Sequence, residues 1–310
     1  MQLITGIIMQ NKSYTIKTTI LLSVLLFMLS SYASESKQSF ISQAGNLTYQ
    51  GIYDQQLVHL KKGLWQGKPF QPGSASRPRV GLIKDFSFSG DLNQDGQPEQ
   101  IVFLWESSGG SGTGVYMAVL IRHNGQWTNI ATQFLGDRVQ LQMGRVQQGK
   151  IELDIIQAGD KDPACCPTQH VLRSWSLKGT KLQEAPILDL GEISIKDLQG
   201  INWRLVKLNW QEQVPDSSTV TLQFKANKVS GFSACNRFTA SVSDGKIPGN
   251  IKFGPITGTR KYCEQEVMEL ETRFLKALVN TRSFSFVNGH LTLEWQDDGA
   301  VSTLFFRPVK

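Results

Sequence analysis

Between residues 46 and 182, apolar and polar positions alternate in short runs and not at helical spacing. The runs at 58–60, 101–105, 115–121, 151–155 and 171–177 predict β-strands. Asn124-Gly125 lies between Ile121 and Trp127 and predicts a hairpin, because a type I′ turn needs positive φ at both central residues. Gln148-Gly149 is a weaker signal of the same kind. No segment here repeats its apolar residues at helical spacing, so this part reads as a mainly β domain. The polar residues 34–45 before it read as a flexible amino terminus. Residues 183–197 after it contain Pro186 and no aromatic residue, and read as a linker.

The pattern changes from residue 198 to residue 310. Strands are predicted around 203–206 and 220–224, and one helix follows Cys263. Val267, Leu270, Phe274 and Leu278 fall at steps of three and four and give that helix one apolar face. Glu264, Glu266, Glu269 and Glu271 lie early and Arg273 and Lys276 late, as the helix dipole favours. Glu269 and Arg273 are spaced for an i,i+4 ion pair. Asn288-Gly289 predicts a hairpin between 284–286 and 291–295, and Asp298-Gly299 precedes a strand at 302–306. Strands, one principal helix, then strands predict an α+β class with an antiparallel sheet.

The first 33 residues follow neither pattern. Lys12 and Lys17 precede an apolar run from Thr18 through Leu29, and Ser31-Tyr32-Ala33 presents small residues where a signal peptidase cuts. That order predicts a secretory signal cleaved after Ala33, and the run is shorter than the roughly 20 residues of a spanning helix. Periplasmic or secreted placement is expected, with no membrane span after cleavage. The rest of the chain suffices for two domains of ordinary size. The net charge of +6 is scattered and interleaved with acids, so nucleic acid is a poor partner.

Candidate chemistry is sparse. In Gly90-Asp91-Leu92-Asn93-Gln94-Asp95-Gly96-Gln97-Pro98-Glu99, oxygens of Asp91, Asn93 and Asp95 converge if the chain turns at Gly96. Gln97 would add a carbonyl and Glu99 a carboxylate, a hard-oxygen set suited to calcium. An EF-hand needs glutamate at loop position twelve, where Val102 stands. The loop resembles the shorter calcium loop of FG-GAP-type β-repeats, and its bland alternative is an Asx-rich turn without metal. The four cysteines form no Cys-x-x-Cys pair, and the four histidines stand singly, so zinc chemistry has little support. Cys165-Cys166, within Asp160 to Pro167, either close a vicinal ring or pair elsewhere; the bland alternative is a rigid loop. The glycine-rich stretch 107–114 lacks the Gly-Lys-Ser/Thr of a phosphate loop and reads as a hairpin loop.

The C-terminal segment resembles the META domain, the module of the HslJ heat-shock protein family. The resemblance rests on Leu198-Gln199-Gly200, Trp203, and 229–238 with Gly231, Cys235, Asn236, Arg237 and Phe238. It continues through 254–263 with Thr259 and Cys263, and through 269–275. The usual glycine before the cysteine is Ala234 here. Cys235 and Cys263 flank the most specific part of the motif and are expected to form a disulfide. The resemblance implies a small envelope domain linked to stress, motility or drug tolerance, with no established catalytic reaction.

Together these features predict a non-catalytic exported bacterial envelope protein with a binding or stress-tolerance role carried by the META domain, its partner an envelope protein or a small ligand. Two rival readings remain: a calcium-dependent recognition or adhesion module using Asp91–Glu99, and a redox or hydrolytic enzyme using Cys165-Cys166.

Overall fold

The computed structural model describes residues 38–69, 73 and 75–309. The expected signal segment, residues 1–33, lies outside the described residues. All paired strands are antiparallel and the chain is mostly β.

Helix α1 covers residues 38–44 and is followed by the hairpin β1 (Thr48–Tyr53) and β2 (Gln56–His59). The meander β3 (Leu64–Gln66), β4 (Arg79–Gly90), β5 (Glu99–Ser107), β6 (Gly114–His123) and β7 (Gln126–Asp137) forms a five-stranded sheet. A second sheet holds β8 (Gln140–Gln147), β9 (Lys150–Gln157), β10 (Gln169–Lys178) and β11 (Lys181–Glu184), with β12 (Leu188–Glu192) also paired to β10.

The apolar run in β5 is explained by burial on both faces. Ile101 and Phe103 meet Leu141, Leu153, Ile155 and Trp175 of the second sheet. Val102 and Leu104 point the other way, onto Tyr49, Val58 and Leu60 of the β1–β2 hairpin. At about 25 cal/mol per Å² of apolar area, these two layers supply most of the drive to fold this part.

Two expectations are corrected here. Residues 38–44 of the expected flexible terminus are helical, and Ala44 is fully buried with its carbonyl accepting from Tyr49 Oη at 2.8 Å. Residues 183–197, expected as a linker, carry β12 and a 3-10 turn at Ile195–Leu198. Ile193 and Ile195 are buried in the C-terminal core, and Ser194 and Asp197 cap the turn reciprocally. Those apolar anchors hold the segment in place where a linker would be solvated.

The C-terminal sheet contains β13 (Asn202–Lys207), β14 (Val220–Lys225), β15 (Lys228–Ser233), β16 (Arg237–Asp244), β17 (Ile251–Phe253) and β18 (Thr257–Gly258). Helix α2 (Gln265–Val279) is followed by β19 (Thr281–Val287), β20 (His290–Asp297) and β21 (Ala300–Val309). Phe284 N donates to Gly249 O at 2.8 Å beside β17, so the nine-stranded sheet curls back toward its own edge. Helix α2 lays Leu270, Phe274, Ala277 and Leu278 on its inner surface. Both central residues of Asn124-Gly125, Gln148-Gly149, Asn288-Gly289 and Asp298-Gly299 have positive φ, as their hairpin roles require. The expected Glu269–Arg273 pair acts only at Coulombic range and closes no direct salt bridge. Arg273 instead grips Glu212 through two bonds of 2.8 and 2.6 Å, the stronger fork geometry, and Glu269 accepts from Gln265.

Candidate functional site

A hydrogen-bonded polar cluster forms where β15 turns into β16. The turn needs Ala234 at φ +83, a left-handed conformation that favours glycine and strains any residue with a Cβ. Gly231 has a different reason: a Cβ there would lie 1.8 Å from the Thr221 carbonyl oxygen of β14. The turn points Cys235 and Asn236 at α2 and at the segment 259–263. Cys235 bonds Cys263 with a Cα separation of 6.0 Å.

Glu271 sits under this turn, buried on the apolar face of α2. Its carboxylate accepts from Asn236 N (2.8 Å), Asn236 Nδ2 (2.9 Å) and Cys235 N (3.3 Å), and Ser233 Oγ lies 2.6 Å away. Burial pushes this carboxyl up, but the donated bonds outweigh it and hold it below the usual range. Asn236 is satisfied on every side. Its Oδ1 accepts from Thr259 Oγ1 and Lys261 N, both at 2.7 Å, and its Nδ2 also reaches Lys261 O at 3.2 Å. Phe238 is buried against Phe274, with ring centroids 5.7 Å apart.

Most polar side chains lining this turn are thus tied internally, and Arg237 is an exception. It shares an open cleft of about 380 Å³ with Thr257, Thr259, Arg260 and the edge of Glu271. Arg237 and Arg260 are exposed, and their guanidinium groups have no partner among the described residues. The arrangement offers two free cationic forks to an anionic partner, the Thr257 and Thr259 hydroxyls already donating to Thr239 O and Asn236 Oδ1. Residues 196–307 match the META domain family. The C-terminal segment is therefore a META domain, and Gly231, Cys235, Asn236 and Phe238 form its internal scaffold. No curated protein matches the chain. An NMR structure of a protein from Burkholderia xenovorans is similar at 23% identity, covering 37% of this chain and 86% of its own, with a TM-score of 0.30.

The Asp91–Glu99 loop connects β4 and β5. Asp91 accepts from Asp95 N (3.1 Å) and Gly96 N (3.0 Å), Asn93 Oδ1 from Asp95 N (2.9 Å), and Asp95 from Gln97 N (2.8 Å). Left-handed Gln94 and Gly96 wind these side chains around one turn. Glu99 faces inward, buried, and accepts from Leu92 N at 2.7 Å and Asn93 N at 3.3 Å. Among the described residues, no group of three or more His, Cys, Asp and Glu side chains is placed to hold a metal ion. A groove of about 580 Å³ runs beside the loop past Arg122, His123 and Trp127.

Sequence reasoning missed one charged cluster. His170 on β10 is buried between Asp154 of β9 (2.6 Å from Nε2) and Asp197 of the 3-10 turn (2.9 Å from Nδ1). A neutral imidazole has one N–H and cannot donate to both carboxylates, so this geometry calls for the cation. Burial lowers the imidazole pKa, but the two carboxylates outweigh it and raise it to about 9. Asp197 O also accepts from Gln142 Nε2 at 3.0 Å, and Phe286 N donates to Gln140 Oε1 at 2.9 Å. The cluster therefore fastens the N-terminal sheets to the META domain. With the folded value raised above the usual 6.5, its stabilisation is complete below about pH 6.5 and lost as pH rises through about 9. The urea midpoint of the intact chain is expected to fall between pH 7 and 10, and that of His170→Gln to fall much less over the same range.

Proposed function

We propose that this chain is a non-catalytic, exported binding protein of the bacterial envelope, and that its META domain meets an anionic ligand or partner through the Arg237–Arg260 cleft. The observation that carries the reading is the contrast within the cleft: the Ser233, Asn236, Thr257, Thr259 and Glu271 side chains lining it are tied internally, and the two arginines there are free. The polar groups there suit binding better than chemistry. Glu271 is held ionised by its donors, which leaves it a weak base, and no histidine lines the cleft. Two disulfides and no free cysteine among the described residues support an oxidising compartment. Among the described residues no helix is long and apolar enough to cross a membrane. Division into domains at 46–182 and 198–310 belongs to the same proposal, supported by a C-terminal core to whose buried members residues 46–182 add Ile156 alone.

The test is complementation. In a producing strain lacking the protein, the wild-type gene is expected to restore tolerance of heat or envelope stress, and Arg237→Ala, Arg260→Ala is expected to fail at equal abundance and melting temperature. Full rescue by that variant would remove the cleft from the function.

A second reading has its own support in the winding of Asp91, Asn93 and Asp95 around one turn. On it, those side chains and the Gln97 carbonyl hold calcium and order the groove beside Trp127 for recognition. Millimolar calcium is then expected to raise the melting temperature of the wild type relative to chelator, since a ligand of the folded state stabilises it. Asp91→Ala, Asp95→Ala should abolish the rise, and a wild type indifferent to calcium sinks this reading.

A further inference from the structure

The Cys165–Cys166 disulfide joins adjacent residues, and both are exposed. Their Cα atoms are 3.8 Å apart, the spacing of a trans peptide and below the usual disulfide range of about 4.4–6.8 Å. Because no residue lies between them, the bond closes no loop and adds little to stability through chain entropy. The other disulfide differs on each point: it joins residues 28 apart, and Cys235 is buried at 3% exposure.

The loop that carries the adjacent pair is braced at its base and at its tip. At the base, the Asp162 carboxylate accepts from Gly159 N (2.8 Å), Thr168 N (2.6 Å) and Thr168 Oγ1 (2.7 Å). At the tip, Arg138 donates to Ala164 O at 2.6 Å, the carbonyl of the peptide that ends at Cys165 N. The same guanidinium donates to Ser111 O in the glycine-rich loop and pairs with Asp137. Asp137 in turn accepts from Thr113 N at 2.6 Å, and Arg138 N donates to Thr113 O at 2.8 Å. Arg138 is therefore a single node that couples the cysteine loop to loop 107–114. The ring contains the Cys165 Cα–C and Cys166 N–Cα bonds, so while closed it fixes how the Ala164–Cys165 peptide is directed relative to buried Pro167 and the anchored Thr168, and opening it frees both rotations.

We propose that Cys165–Cys166 is a thiol–disulfide exchange site for a dithiol reductant, and that opening it frees loop 107–114 from the Arg138 node. One thiolate of the reductant attacks an exposed sulfur, forming a mixed disulfide and expelling the other cysteine as thiolate. The reductant's second thiol then displaces the first cysteine and closes its own disulfide. Two electrons pass to the protein, which takes up two protons as both cysteines become thiols. The base of the loop stays closed throughout, because the Asp162 bonds do not involve the ring. Exchange at this pair leaves the META disulfide intact and changes local order without unfolding the chain.

The test uses the oxidised full chain titrated with dithiothreitol, quenched with N-ethylmaleimide and mapped by peptide mass. Cys165 and Cys166 are expected to label at reductant concentrations on the order of tenfold below those that label Cys235 and Cys263, as exposed disulfides exchange first. Amide hydrogen exchange in 107–114 is expected to rise several-fold at that stage, with the melting temperature unchanged. Cys165→Ser, Cys166→Ser should show the raised exchange with or without reductant. Simultaneous opening of both disulfides, or unchanged exchange in 107–114 with the pair reduced, would overturn the proposal.

Discussion

Glu271→Ala is expected to destabilise the protein by about 3–5 kcal/mol, because it leaves several buried donors unpaired in one step. Cys235 N, Asn236 N and Asn236 Nδ2 all lose their acceptor, and the Ser233 hydroxyl loses a partner. The Asn236 side chain, which also receives Thr259 and Lys261, then loses its anchor to α2. Glu271→Gln should cost less, since its one amide oxygen can keep Ser233, Cys235 N and Asn236 N and only Asn236 Nδ2 then faces the new N–H₂. Urea denaturation reads both losses directly. The sign of the pH dependence follows from the depressed carboxyl. Its contribution is complete above the usual 4.5 and disappears as pH falls through the lower folded value. Wild type should thus lose stability on acidification below about pH 5, and Glu271→Ala should lose less over that interval.

Joint substitution Cys235→Ser, Cys263→Ser is expected to cost about 3–4 kcal/mol, from the loop-closure entropy of a bond joining residues 28 apart. The denatured chain gains that freedom, and the native state loses the covalent tie between the β15–β16 turn and the entry to α2. A fall in the urea midpoint, with a slope that rises as the freed denatured chain exposes more surface, is the expected reading. The same measurement on Cys165→Ser, Cys166→Ser should show almost no shift. Equal losses in the two variants would contradict the different roles assigned to the two disulfides.

The hairpins and the C-terminal helix were legible because their signals are local. Four turn pairs with positive φ stand where dipeptides ending in glycine placed them, and α2 follows its apolar stripe. Strand β4 was not legible, because the irregularity between Ile83 and Ser87 breaks its alternation. Strand β12 escaped because every one of its residues is exposed, so it carries no buried face to read. Helix α1 is too short to show a repeat.

In the candidate site, the resemblance located Gly231, Asn236, Arg237, Phe238 and Thr259 but could not say which face solvent. By sequence Glu271 reads as one of the dipole-favouring acids of the helix. Its position four residues after Val267 and three before Phe274 places a charge in the apolar stripe, which was the available signal. His170 and Arg138 had none. Their partners lie on other elements, and only the tertiary structure brings them together.

The claim of an exported, oxidised protein is tested most directly on the native chain recovered from fractionated cells. Alkylation without reductant followed by intact-mass and amino-terminal analysis gives both answers at once. The account predicts recovery from the envelope or medium, an amino terminus at Ser34, and Cys235 and Cys263 resistant to alkylation. A cytoplasmic protein that keeps residues 1–33 and alkylates at both positions would contradict it.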